Sequence, residues 1–427
     1  MSMEKQTVIG ARLKESYSVY TQSSGLKVLL YPMKEFSTAY ALFGTKYGSI
    51  DTMFRKEGEA EFTVVPEGIA HYLEHKLFES EDGDAFSLFA RAGASANAFT
   101  SFDKTCYLFS TTQNFEAALS ALLQFVQNPY FTKENVEKEQ GIIAQEIKMY
   151  EDNPSWRVYF NLLRGMYHNH PVHTEIAGTV ESIEKIDAEL LYRCYHTFYN
   201  LNNMVISIAG NFDEQTAVEI IEKELKDCEK VVIERSMPHE PDEVVKSVVK
   251  QKMAVAMPLF YFAWKEKPVE EVKMPRVSML YDIILDVVAG DCSPLYRRLY
   301  DEGLIDTGFD TESFMGRGYA ACIFGGYSKD PEKVASLIAE EIKRYKEEGI
   351  DAESFERARK SIYGAVVGGF DSAEEIASTM LAAYFCGGSD AYVELEAISD
   401  LTVEDANRLL AEGFDEKNTV LSVIEPM

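Results

Sequence analysis

The run GIAHYLEHKLFES (residues 68–80) sets His71 and His75 four residues apart, with Glu74 immediately before the second histidine. In a helix, positions i and i+4 share a face, one turn apart. The two imidazoles can therefore serve one ion. Glu74 lies about 60° off that stripe, within reach of a water on the same ion, and too close to His75 in sequence to be a natural third ligand. Ile69, Leu73 and Leu77 give the helix a neighbouring apolar face with which to pack. Catalytic zinc takes three protein ligands and keeps one position open for water. Such a water ionises near pH 7, and a nearby carboxylate takes its proton. The run thus holds two ligands and a base, and it lacks a third ligand. The bland alternative is two histidines packed on a helix.

A second segment, FTKENVEKEQGIIAQEIKMYEDNP (131–154), reads as a long helix that starts near Thr132 and ends before Pro154. It carries Glu139 and Glu146 seven residues apart on one face, with Ile142 and Ile143 between them. Two turns span about 10.8 Å, so both acids cannot comfortably bind one ion. One is a ligand and the other supports a partner, and periodicity does not choose between them.

The elements that must position these residues come from the rest of the 427-residue chain. Strand-like runs (LKVLLYPM and TAYALFGTKYGSID) precede the histidine helix, which Pro66-Glu67 would open. ANAFTSFDKTCYLFST (96–111) reads as two strands with a turn near Ser101–Lys104, NFEAALSALLQFVQN (114–128) as a helix, and NMVISIAG (203–210) as a buried strand. MPHEPDE (237–243) reads as an exposed linker, which divides the chain into 1–235 and 236–427. The second part echoes the first at offsets of 216, 219 and 215: TTQNFEAALSALL with YSKDPEKVASLI, TKENVEKEQ with DAESFERAR, and NNMVISIAG with KNTVLSVIE. An internal duplication follows. The fold class is α+β: two homologous domains, each a mostly antiparallel sheet with helices packed on one face.

Composition narrows the function. Seventy acidic against 42 basic residues give a net charge of −28, which argues against nucleic acid as a partner. No apolar run reaches the length of a membrane span, and the N-terminus shows no signal peptide, so a cytoplasmic protein is expected. The six scattered cysteines form no CxxC pair and suggest neither a disulfide framework nor a thiolate metal site. His168, His170 and His173 crowd a probable loop before and after a proline, where a structural role is expected rather than a second metal.

His71-Tyr-Leu-Glu74-His75, followed 71 residues later by Glu146, resembles the inverted zinc motif of the pitrilysin/insulinase-type metallopeptidases. The chain looks most like their short bacterial members related to the mitochondrial processing peptidase, and the likeness runs over nearly its whole length. The resemblance implies that His71, His75 and Glu146 bind one Zn2+ per chain, that Glu74 is the catalytic base, and that Glu139 supports the site without touching the metal. It also implies that Ala96, Asn97, Ala98 and Phe99 form an edge that takes up a peptide substrate as an added strand. On the repeat offset Glu139 and Glu146 correspond to Ala358 and Ala365, and residues 240–427 contain no histidine. The domain 236–427 is therefore expected to be non-catalytic. In the family it supplies an Arg and a Tyr toward substrate, for which this sequence offers Arg317, Tyr319 and Tyr327. The resemblance implies a zinc-dependent endopeptidase that closes around short or unfolded peptides, as a homodimer or with a related non-catalytic chain. The alternative is a non-catalytic or partner-dependent subunit.

Overall fold

The computed structural model of the chain describes residues 3–81, 83–226 and 228–427. They divide into two compact units, neither contiguous in sequence. The first runs to Ile147, resumes over Glu175–Ser236 and takes in Val367–Tyr392. The second comprises Lys148–Thr174, Met237–Val366 and Val393–Met427.

The first unit is built on a seven-stranded sheet of β1 (Glu4–Gly10), β2 (Glu15–Thr21), β3 (Lys27–Pro32), β4 (Ala39–Thr45), β5 (Ser95–Thr100), β6 (Thr105–Thr111) and β7 (Met204–Gly210). Their order is β1-β2-β3-β7-β4-β6-β5, and only β3 and β7 pair in parallel. The second unit has a five-stranded sheet of β8 (Val248–Met253), β9 (Leu259–Glu266), β10 (Asp310–Gly316), β11 (Tyr319–Tyr327) and β12 (Thr419–Pro426), in the order β8-β12-β9-β11-β10. Again one pair, β8 with β12, is parallel. The order β3-β7-β4-β6-β5 is thus repeated strand for strand. The helices repeat as well: Phe115–Val126 (α2), Lys133–Glu151 (α3) and Pro154–Met166 (α4) correspond to Pro331–Glu348 (α6), Ala352–Gly369 (α7) and Ala373–Phe385 (α8), with Ile69–Leu77 (α1) and Met274–Ala289 (α5) as the remaining helices used below.

Strands β4 and β7 are buried at every position, so both faces of the first sheet are covered. On one face Thr45 Oγ1 donates to the Phe198 carbonyl, from a helix of the N-terminal half. On the other lies α8, from the C-terminal half, where Ser207 Oγ of β7 donates to the Ala377 carbonyl at 2.7 Å. The second unit mirrors this. Its large core gathers Phe260, Trp264, Ile284, Phe324, Ile338 and Leu421 on one face. Against the other face lies α4, from the N-terminal half, where Ser422 Oγ donates to the Val158 carbonyl at 2.8 Å. Ser207 and Ser422 are 215 residues apart, and Val158 and Ala377 are 219 apart, the offsets of the sequence repeat. The duplicated halves have exchanged equivalent helices.

Residues 237–247 form no helix or strand, yet they are anchored. Glu240 accepts hydrogen bonds from the backbone N–H groups of His168, Asn169 and His170 and from Lys265 Nζ at 2.6 Å. Burial opposes ionisation of Glu240, but the ammonium and the three N–H groups overrule it and hold the carboxyl down at about 2. No disulfide forms among the described residues, and no helix among them is long and apolar enough to cross a membrane.

The folded-state value of Glu240 lies below its ordinary 4.5, so its contribution to stability is complete above that pH and is lost as pH falls toward 2. Glu240→Gln should cost about 1–2 kcal/mol at pH 7, the scale of charge-assisted hydrogen bonds. Urea unfolding across a pH series checks this, and the gap from wild type should narrow below about pH 4.5.

Candidate metal centre

Helix α1 begins at Ile69, not at Pro66-Glu67. Gly68 stands at its entry with φ 86°, and Gly178 of the facing loop has φ 74°. A Cβ on Gly68 would come within 2.4 Å of the Ala177 carbonyl oxygen, and one on Gly178 within 2.6 Å of the Glu67 oxygen. The two left-handed glycines let the segments meet backbone to backbone, and Ser182 Oγ closes the contact by donating to the Glu67 carbonyl at 2.9 Å. The chain must turn here before a helix can start.

Once started, α1 buries Ile69, Leu73 and Leu77 and is tied to the first turn of α3. Tyr72 Oη donates to the Val136 carbonyl, and the wholly buried Lys76 donates to the Asn135 carbonyl at 3.2 Å and to Glu79. These ties fix the crossing of the two helices. The crossing brings the sequence-predicted ligands together: His75 Nε2 lies 3.3 Å from one oxygen of Glu146, and His71 Nε2 lies 3.7 Å from the other. Glu139, two turns earlier on α3, sits 3.1 Å from His75 Nδ1. The two acids are placed differently: Glu146 faces both Nε2 atoms, while Glu139 faces the far side of one ring.

Ligand atoms of a tetrahedral zinc, each at about 2.0–2.1 Å, stand about 3.3 Å from one another. The 3.3 and 3.7 Å separations, each to a different Glu146 oxygen, are near that spacing, and one ligand atom from each of His71, His75 and Glu146 lies within 4.8 Å of the others. The donor set of two imidazoles and one carboxylate fits zinc. Burial and the neighbouring His75 push His71 down to about 4, which leaves its imidazole neutral with a lone pair to offer. For His75 burial pulls the same way, but hydrogen bonds with Glu139 and Glu146 prevail and raise it to about 9. A cation entering the site must therefore displace a proton from His75.

Glu74 is buried, which raises its pKa, and a hydrogen bond from Thr100 Oγ1 at 2.6 Å works in the opposite direction. Thr100 was not among the residues singled out from sequence. Its signal was strand alternation, since it falls on the same face of β5 as Ala96 and Ala98. A cavity of about 490 Å³ adjoins Glu74 and His75 and is lined in part by Phe78, Phe86, Asn97 and Ala98. Strand β5, which holds Ala96 to Phe99, is the last of its sheet and pairs with β6 alone. Among the described residues no strand pairs with its other edge, and the Ala98 N–H donates to Asn97 Oδ1 at 2.9 Å.

The three residues expected from the second half do not assemble into one group. Arg317 lies in the turn between β10 and β11, and Tyr319 is buried at the start of β11 against Phe314 and His170. Tyr327 is exposed at the far end of that strand, about 26 Å away along it. The histidine-rich loop is structural: His170 Nε2 donates to the Arg317 carbonyl at 2.9 Å, and its Nδ1 accepts from the Val172 N–H at 3.1 Å.

A family model described as insulinase, peptidase family M16, matches residues 63–180, and one described as the peptidase M16 inactive domain matches residues 185–362. A Bacillus subtilis (strain 168) protein described as the uncharacterized zinc protease YmfH is 40% identical over 97% of this chain and 97% of its own length. The chain belongs to peptidase family M16. A crystal structure of an M16-like peptidase from Alicyclobacillus acidocaldarius is 38% identical and superposes with a TM-score of 0.92, covering 100% of this chain and 99% of the other. A Helicobacter pylori protease at 18% identity and a TM-score of 0.78, with 100% of each chain covered, shares the M16 fold. The inactive-domain match takes in most of residues 240–427, which lack histidine.

Removing the Glu139 charge should let burial prevail at its partner. In Glu139→Gln the His75 pKa, followed by NMR titration of the metal-free protein, should fall by about 1 unit or more.

Proposed function

We propose that this M16 chain is a zinc-dependent endopeptidase, with His71, His75 and Glu146 as ligands to one Zn2+ and Glu74 as the base. The observation that carries the reading is the convergence of both Nε2 atoms on the Glu146 carboxylate, at 3.3 and 3.7 Å, beside a buried acid that is hydrogen-bonded to Thr100. When bound, zinc supplies Lewis acidity to the scissile carbonyl and to the attacking water.

The chain's own groups do the rest. Glu139 holds His75 through Nδ1 and directs its Nε2 toward the ligand position. The free edge of β5 takes the peptide main chain as an added strand, with Asn97 and Ala98 beside the cavity. Main-chain pairing demands little of the substrate sequence, which suits short or unfolded peptides. Glu74 removes a proton from the water as it attacks and passes it to the leaving amine. A general base of this kind contributes about 10²–10⁴-fold. A second copy or a related non-catalytic chain is the proposed partner, since two M16 units make half of the family's usual enclosure.

Glu74→Gln should retain about one zinc per chain by elemental analysis and lose at least about 100-fold in kcat on fluorogenic peptides. Full turnover in that variant would remove Glu74 from the role. Glu146→Gln should lose the metal itself, seen as zinc content well below one per chain after dialysis.

A further inference from the structure

We infer that Thr100 is a positioning residue for Glu74, and that the strand offered to substrate also orients the base; this rests on the endopeptidase reading above. Thr100 ends β5, and its hydroxyl carries a single hydrogen. Two acceptors lie near it: Glu74 Oε2 at 2.6 Å and Thr105 Oγ1 at 3.2 Å. Thr105 stands directly opposite on β6 and is wholly buried. Its own hydrogen is directed at the Tyr47 carbonyl, 2.9 Å away. The shorter, charge-assisted bond wins, so the Thr100 hydrogen goes to Glu74.

The consequence is that Thr105 and Thr100 do not bond to each other: Thr105 is turned to the Tyr47 carbonyl, and the Thr100 hydroxyl is left to one oxygen of Glu74. Glu74 also lines the cavity. Ala96 and Ala98 share the Thr100 face of β5 and keep it shallow, so Glu74 can lie against the strand. A peptide paired to the free edge of β5 would be placed relative to the same strand that holds the base. Among the described residues no other hydrogen bond reaches the Glu74 carboxylate.

The test compares Thr100→Val, which keeps the shape and removes the hydroxyl, with Thr100→Ser, which restores the hydroxyl. For Thr100→Val, kcat should fall roughly 10–100-fold with KM within about twofold and zinc content at the wild-type level. Thr100→Ser should recover at least about a third of wild-type kcat. An unchanged kcat in the Val variant, a loss confined to KM, or a Ser variant as impaired as Val would overturn the inference. A thermal double-mutant cycle in metal-free protein reads the same contact without turnover: Thr100→Val should lower the melting temperature at least about twice as far in wild type as in a Glu74→Ala background. Additive shifts would also overturn it. A wild-type chain inert toward peptides, with the coupling present, would instead overturn the endopeptidase reading alone.

Discussion

The site depends on how a nine-residue helix is held against a nineteen-residue one. Helix α1 is too short to be stable alone, because so few hydrogen bonds cannot offset the entropy of nucleation. Its register is set from outside. Two left-handed glycines fix where it starts, and Tyr72 and Lys76 fix which turn of α3 it meets. Lys76 is the costly member: a buried ammonium is tolerated only when its donors are used, as they are here by Glu79 and the Asn135 carbonyl. That clasp lies one residue from His75, so a small shift in it would change both distances to Glu146.

The duplication shows what the clasp is for. Both units keep the same five-strand order, the same single parallel pair and the same serine-to-helix hydrogen bond. What differs is chemical. Where α3 offers Glu139 and Glu146, the second unit's α7 has Ala358 and Ala365, and Ala358 is buried. The scaffold is shared, and one copy has alanines where the other has this acid pair. An acid buried on this helix needs a cation, a proton or a histidine to meet it, and at these two positions the first unit supplies histidines.

Much of this was legible in the residues. His71, His75 and Glu146 follow from helical spacing and family likeness, and the three echoed segments fall on the equivalent elements. Other features depend on partners far away in sequence. The true start of α1 requires Gly178, more than 100 residues on, and nothing local at Pro66-Glu67 reveals it. Thr100 matters because of Thr105 and Glu74, and a strand pattern records only which face it occupies. The exchange of α4 and α8 was invisible for a similar reason. An amphipathic helix announces that it will be buried, and hydropathy does not say against which sheet.

That exchange bears on how the polypeptide reaches its native state. The first sheet awaits a helix synthesised with the opposite half, so it cannot bury its second face until most of the chain is made, whereas the helix of the second sheet precedes its strands. Assembly is then governed by long-range encounters, which are slow and leave apolar β-surface open to wrong partners meanwhile. The buried hydroxyls of Ser207 and Ser422 add a specificity check, because a helix seated out of register leaves each without an acceptor. Each half thus lends the other the helix that closes its sheet.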